Sequence, residues 1–270
     1  MIDDPKYNAL TNILLSIGDI AVAFSGGLDS TFLLTVARKT VGERVIALTL
    51  KTPYIPDWEI KEAEKTCRNL HVKHHILEKK IIDTLRHNPE NRCYLCKSYV
   101  FSRFKKEAEK LGKYQVVDGT NLDDMKDFRP GLTALKELGI RSPLLESNMT
   151  KDDIRKYSKL LGIREWNKPP YACLLTRIPY GTQINEKELS RIESAELFLH
   201  GLGFKESRVR SVNLSARIEL NPRHFSQIVQ EHVRQHIVEE FHKLGFRFIS
   251  IDLEGYRTGS MNIKNRKDEP

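Results

Sequence analysis

The sequence predicts an α/β protein with two domains, a larger parallel-sheet domain over residues 1–178 and a smaller α/β domain over residues 179–270. Three observations carry that prediction. Strand-like stretches at 20–24, 45–50, 72–77 and 115–117, the first two apolar, are separated by helical stretches, and strands joined in this way run parallel. A glycine turn, Ser25-Gly26-Gly27-Leu28-Asp29-Ser30, stands between the first run and the helical stretch Thr31 to Arg38. Beyond residue 185 the pattern becomes helix, strand, strand, helix, strand, which is too short for a second nucleotide fold.

A chain of 270 residues can bury a substantial core, and 40% apolar with 30% charged residues is ordinary for a soluble globular protein. No apolar run of about 18 residues and no basic, apolar leader is visible, so a cytoplasmic protein without membrane contact is expected. The formal charge of +8 points to anionic ligands, nucleotides or RNA. Four cysteines without such a leader point to metal or reactive thiols before disulfides.

Taken in order, Leu10, Ile13, Leu14 and Ile17 have helical spacing and predict a packing helix within 1–18. In the turn that follows the first strand, Gly26 and Gly27 let the backbone approach an anion closely. The N–H groups of the next helix start favour phosphate there. Ser25 and Ser30 add hydroxyls, and Asp29 could hold magnesium against the phosphates. No GxxxxGK[ST] string occurs, so this is not the usual phosphate loop with its lysine.

Pro53 and Pro56 break the chain, and Asp57 is expected to cap a helix carrying Ile60, Ala63, Cys67 and Leu70 on one face. That places Cys67 in the core. His71, His74 and His75 have no spaced partner set and read as surface and edge residues. Residues 88–97 read as a loop that ends where a helix begins. Within it Cys93 and Cys96 could direct two sulfurs at one metal or form a redox dithiol, with Arg92, Lys97 and the helix start favouring thiolates. One such pair does not fill a metal site.

A helix over 98–111 leads to the strand at 115–117 and then to Asp118-Gly119-Thr120-Asn121-Leu122-Asp123-Asp124. Ligands of a parallel sheet sit at the carboxyl ends of its strands, so this loop should face the same crevice as the glycine turn. Asp118, Asn121 and Asp124 could bind magnesium or ribose, and Arg129 could bridge phosphate. A capping turn with solvated acids is the alternative. Thr150 is expected to cap a helix ending near Gly162. Pro169 and Pro170 fix an irregular segment that presents Cys173 beside Arg177.

The second domain reads as a helix over 186–202, strands at 207–213 and 216–220, a helix over 223–244 and a strand at 246–253. His232 and His236 flank an apolar stripe of Phe225, Val229, Val233, Ile237 and Phe241 and lack a third ligand. Arg208 and Arg210 fall on one strand face, which suits a phosphate, and Arg257 could join them.

The SGGLDS string resembles the pyrophosphate loop of the PP-loop ATP pyrophosphatases, the adenine nucleotide alpha hydrolase-like fold. That string, NRCYLCK at 91–97, DGTNLDD at 118–124, DFRPGL at 127–132, ACLLTRIPYG at 172–181, RVR at 208–210, ARIEL at 216–220 and GYRTG at 255–259 occur in one order. Together they resemble the LarE family of ATP-dependent sulfur transferases of nickel-pincer cofactor biosynthesis. The resemblance implies that ATP, with magnesium, adenylates a carboxylate of a pyridinium dicarboxylate mononucleotide and that sulfur then replaces AMP. It places Ser25, Gly26, Gly27, Asp29, Ser30, Gly119, Thr120, Asn121, Asp124 and Arg129 at ATP, and Arg208, Arg210 and Arg257 at the substrate phosphate. Cys173, Asp29 and Arg177 are the residues it assigns to catalysis.

The family has two sulfur-donor styles. In one, a cysteine at the Cys173 position gives up its own sulfur. In the other, three cysteines hold a [4Fe-4S] cluster whose fourth iron carries a hydrosulfide. Cys93 and Cys96 accompany Cys173 here, so the cluster is the expectation, with sacrificial Cys173 and zinc as alternatives. The expected partners are a small nucleotide substrate, sulfide or another sulfur donor and further copies of the chain in a hexamer built from trimers, with no nucleic acid. A tRNA thiolase and a non-catalytic nucleotide or redox sensor are the rival readings.

Overall fold

In the computed structural model, which describes residues 2–112, 114–125, 130–168 and 171–257, the chain divides between Tyr171 and Ala172. The sequence places that division at 178/179. One unit comprises Met1–Leu85 with Glu90–Tyr171, and the other comprises Arg86–Pro89 with Ala172–Pro270.

The first unit begins with α1 (Pro5–Ile17), where the Asp4 carboxylate accepts the Lys6 N–H at 3.0 Å and Pro5 occupies the first turn. There follow β1 (Ile20–Ala23), α2 (Leu28–Val41), β2 (Val45–Lys51), α3 (Asp57–Leu70), β3 (Lys73–Glu78), α4 (Arg92–Gly112), β4 (Gln115–Val117), α5 (Pro130–Glu137), α6 (Pro143–Glu146) and α7 (Lys151–Leu160). The strands form one sheet in the order β3-β2-β1-β4, every pair parallel.

Alternation along the strands explains the continuous apolar runs. Ile20, Val22, Val45 and Ala47 join a core with α1, α2 and α7, whereas Ala21, Ile46, Leu48 and Leu50 join a second core with α4 and α5. Because β1 lies between β2 and β4, the turn after β1 and the loop after β4 leave the sheet side by side.

Two local expectations are corrected and a third is refined. Pro56, not Asp57, is the N-cap of α3. The helix α4 starts at Arg92, so Cys93 and Cys96 lie within its opening turns and not in a preceding loop. His74 is on the edge strand, yet its Nε2 lies 2.7 Å from the Thr49 hydroxyl, which itself donates to the Phe24 carbonyl at 2.6 Å. Cys67 is buried as expected, and burial pushes its thiol up to about 12, which leaves it protonated and inert.

The second unit contains α8 (Glu186–Gly201), β5 (Arg208–Val212), β6 (Ser215–Glu219), α9 (Phe225–Ile228), α10 (Glu231–Lys243) and β7 (Phe248–Ile251). Strands β5 and β6 form an antiparallel hairpin, and β7 adds in parallel to β6. Asn213 and Leu214 turn the hairpin with φ of 49° and 64°, the left-handed pair that matches strand twist. The helix expected over 223–244 is broken at Val229 and Gln230. Val229 is 56% exposed, so its place in the apolar stripe is lost, while Ile237 and Phe241 pack with Leu199, Phe204 and Phe246. His236 meets the Phe198 ring edge-on. Among the described residues no helix is long and apolar enough to cross a membrane.

Candidate active site

The turn after β1 has the features an anion site needs. Gly27 is the N-cap of α2 and offers no side-chain cap, so the first N–H groups of that helix lack the usual local acceptor. Gly26 is buried at φ 72°, where an L side chain is disfavoured and a Cβ would already touch that of Ala63 at 3.4 Å. The Ser25 and Ser30 hydroxyls are 3.2 Å apart. Ser30 Oγ donates to the Gly27 carbonyl at 3.1 Å, and the Gly27 N–H reaches Ser25 Oγ at 3.4 Å.

The loop after β4 is packed directly on this turn. A Cβ on Gly119 would lie 3.1 Å from the Ser30 nitrogen and 3.3 Å from the Asp29 carbonyl carbon, so a side chain there would push the loop off the turn by a few tenths of an ångström. The acids here are buried and organised, not solvated. Asp118 accepts the Thr120 and Ser142 hydroxyls, one on each oxygen. Asn121 Oδ1 accepts the N–H groups of Asp123 and Asp124 at 3.0 and 3.3 Å, and Asp124 accepts the Asn121 N–H at 3.1 Å. The Asn121 Nδ2 is fully buried without a hydrogen-bond acceptor. Arg129 lies outside the described residues.

Asp29 holds the most distinctive environment. Its Oδ2 is 3.6 Å from Lys151 Nζ, while its Oδ1 is buried without a hydrogen-bond donor. Burial pushes its carboxyl above the ordinary carboxylate range, Lys151 opposes that rise and Asp124 adds to it. A magnesium ion suits this donor set, because one or two carboxylates plus phosphate oxygens and water are its common ligands.

Two lysines at this site escape the sequence reading. Lys151, first in α7, donates its backbone N–H to Asp123 at 2.8 Å and extends its side chain to Asp29. Lys168 donates to the Gly26 carbonyl at 3.1 Å and to Glu62 at 2.7 Å. A lysine beside a helix cap and a lysine before two prolines are the only signals the sequence offers for them.

In the second unit Arg177 is 1% exposed and braces the Cys173 segment from inside. Its Nε and Nη2 donate to the two Glu196 oxygens at 2.8 and 3.0 Å, and its Nη1 donates to the Ala172 carbonyl at 2.9 Å. Burial opposes the Arg177 charge, but Glu196 outweighs it and the net effect raises its pKa. Glu196 also accepts the Val209 N–H at 2.9 Å. Asn88 fixes the far end of the segment, donating from Nδ2 to the carbonyls of Leu175, Ile178 and Pro179. Neither Glu196 nor Asn88 stands out in the sequence.

Arg208 and Arg210 are buried on one face of β5, as the strand period requires. Arg210 pairs with Glu219 at 2.9 and 2.8 Å and donates to the Thr176 carbonyl; the Arg208 guanidinium lies over the Tyr256 ring at 5.1 Å. Burial, then the nearby Arg177, holds the Arg208 pKa below its ordinary value. Arg257 is at the surface with Glu254.

None of the three remaining cysteines is in a disulfide. Cys93 is exposed and Cys96 half-buried in the first unit, and Cys173 is half-buried in the second. Among the described residues no group of three or more His, Cys, Asp and Glu side chains stands together as a metal site.

A parallel sheet whose first strand ends in an uncapped SGGLDS turn, with a carboxylate oxygen left free beside it, defines a PP-loop ATP-using enzyme. Residues 19–93 match the family described as Queuosine biosynthesis protein QueC. The chain is 39% identical over 261 residues to an uncharacterized protein of Synechocystis sp., covering 96% of this chain and 97% of that one. It is 34% identical over 260 residues to the pyridinium-3,5-bisthiocarboxylic acid mononucleotide synthase of Lactiplantibacillus plantarum, covering 95% and 94%. An uncharacterized protein of Methanocaldococcus jannaschii is 36% identical over 240 residues, covering 88% and 91%. The chain belongs to the LarE family, and it is an ATP-dependent, sulfur-transferring enzyme.

Proposed function

We propose that this enzyme adenylates a carboxylate of a pyridinium-3,5-dicarboxylate mononucleotide and exchanges the AMP for sulfur, as a step in nickel-pincer cofactor synthesis. The observation that carries the ATP half is the uncapped start of α2 beside the free Asp29 oxygen. The likeness to the Lactiplantibacillus plantarum synthase supports the acceptor.

A substrate carboxylate oxygen attacks the α-phosphorus, the α–β anhydride bond breaks and pyrophosphate departs with its electron pair. The nucleophile is already ionised, so no general base is needed, and catalysis rests on orientation and charge. The N–H groups at the start of α2 and the Ser25 and Ser30 hydroxyls take up phosphate oxygens, Asp29 holds magnesium, and Asn121 offers its buried amide. A sulfur nucleophile then attacks the acyl carbon, and AMP leaves. Arg208 and Arg210, with Arg257, bind the mononucleotide phosphate. Arg177 acts through the Cys173 segment by fixing its carbonyls.

Cys93, Cys96 and Cys173 would hold three irons of a [4Fe-4S] cluster, which when bound supplies an open iron that carries the hydrosulfide. Three cysteines outside any disulfide, two of them one turn apart on a helix start, supply thiolate ligands of the kind that set requires. Sulfide or another small donor replenishes the sulfur. The chain assembles as a hexamer built from trimers and works in the cytoplasm.

Purified without oxygen, the enzyme is expected to contain about four iron and four sulfide per chain. In Cys173→Ala both the cluster and sulfur transfer are lost while pyrophosphate release persists. Little iron, together with a protein mass lowered by one hydrogen sulfide after turnover, would instead make Cys173 a sacrificial donor.

A further inference from the structure

Lys168 grips the backbone of the glycine turn itself. Its side chain is 16% exposed, and three groups hold its ammonium: the Gly26 carbonyl at 3.1 Å, Glu62 at 2.7 Å and the Trp58 ring at 5.5 Å. Glu62 and Trp58 both belong to α3, the helix on which Gly26 packs.

The Gly26 carbonyl and the Gly27 N–H share one rigid peptide plane and point in opposite directions. Holding the carbonyl outward therefore fixes the N–H on the other side, where it lies 3.4 Å from Ser25 Oγ. A peptide between two glycines turns over at little steric cost. Turned over, it would present a carbonyl oxygen to the phosphates in place of a donor. A charge-assisted hydrogen bond to the carbonyl opposes that reversal.

We propose that Lys168 is a positioning residue for ATP: it locks the Gly26–Gly27 peptide in the orientation that receives phosphate. The inference rests on the phosphate-binding reading of the turn. It also gives Trp58 a purpose, since the same ring that lies under Lys168 meets Tyr171 edge-on at 4.7 Å. Lys168 and Tyr171 both meet the Trp58 ring of α3.

The test is titration of the full-length protein with magnesium-ATP, inorganic pyrophosphate and adenosine, for wild type, Lys168→Met and Lys168→Arg. Lys168→Met is expected to weaken ATP and pyrophosphate by about tenfold, the scale of one charge-assisted hydrogen bond, and to leave adenosine unchanged. Lys168→Arg restores most of the loss, because it keeps a cationic donor. Unchanged ATP affinity in Lys168→Met would overturn the inference, as would parallel losses of ATP and adenosine, which mark general damage to the fold. A wild type that binds adenosine but neither ATP nor pyrophosphate would overturn the phosphate reading itself.

Discussion

Asp29→Asn is expected to reduce AMP and pyrophosphate formation on the order of 10²–10³-fold and, at the same time, to raise the melting temperature at pH 7. The two effects have one cause. Burial is the largest influence on this carboxyl and raises its pKa, with Asp124 adding and Lys151 only partly opposing. A carboxyl raised in the folded state favours folding below its unfolded value of about 3.9, and that contribution is lost as pH rises through the folded value. At neutral pH the ionised Asp29 therefore weighs against the fold, and a neutral amide relieves it. In the proposed function that ionised carboxylate would hold magnesium. The same sign holds for the metal-free protein, whose stability rises as pH falls through the folded pKa of Asp29. Differential scanning calorimetry beside a pyrophosphate assay reads both effects. A lower melting temperature, with activity lost only in proportion to unfolding, would make Asp29 a structural residue.

Arg177→Met should have the largest effect on stability. It leaves Glu196, 3% exposed, without its cation, and breaking a buried pair in this way costs about 3–5 kcal/mol. The Val209 N–H remains as one partner for Glu196, but the carbonyls of Ala172 and Cys173 lose their donor. Replacing the pair together, Arg177→Met with Glu196→Leu, should recover much of the loss, since no buried charge is then stranded. Urea unfolding of the single and double variants measures this. If the single variant stays within about 1 kcal/mol of wild type, the pair is not the brace described above.

What the sequence made legible was local. The glycine turn announces itself because strand, two glycines and helix are contiguous, and the parallel sheet follows because helices separate the strands, of which β1 and β2 are largely apolar. What stayed hidden depends on distant partners. Lys168 matters through Gly26, Glu196 through Arg177, Asn88 through Leu175 and Ile178, and no spacing rule joins such positions. The start of α4 is misplaced although Asn91, a favoured N-cap residue, stands directly before Arg92, and the break at Val229 is hidden because the apolar period runs through it.

The most direct measurement is the product pattern from ATP in the presence and absence of the pyridinium dicarboxylate mononucleotide, followed by phosphorus NMR. The account predicts AMP and pyrophosphate in equal amounts, formed only when the carboxylate substrate is present. ADP with inorganic phosphate, or AMP formed at the same rate without that substrate, would contradict it.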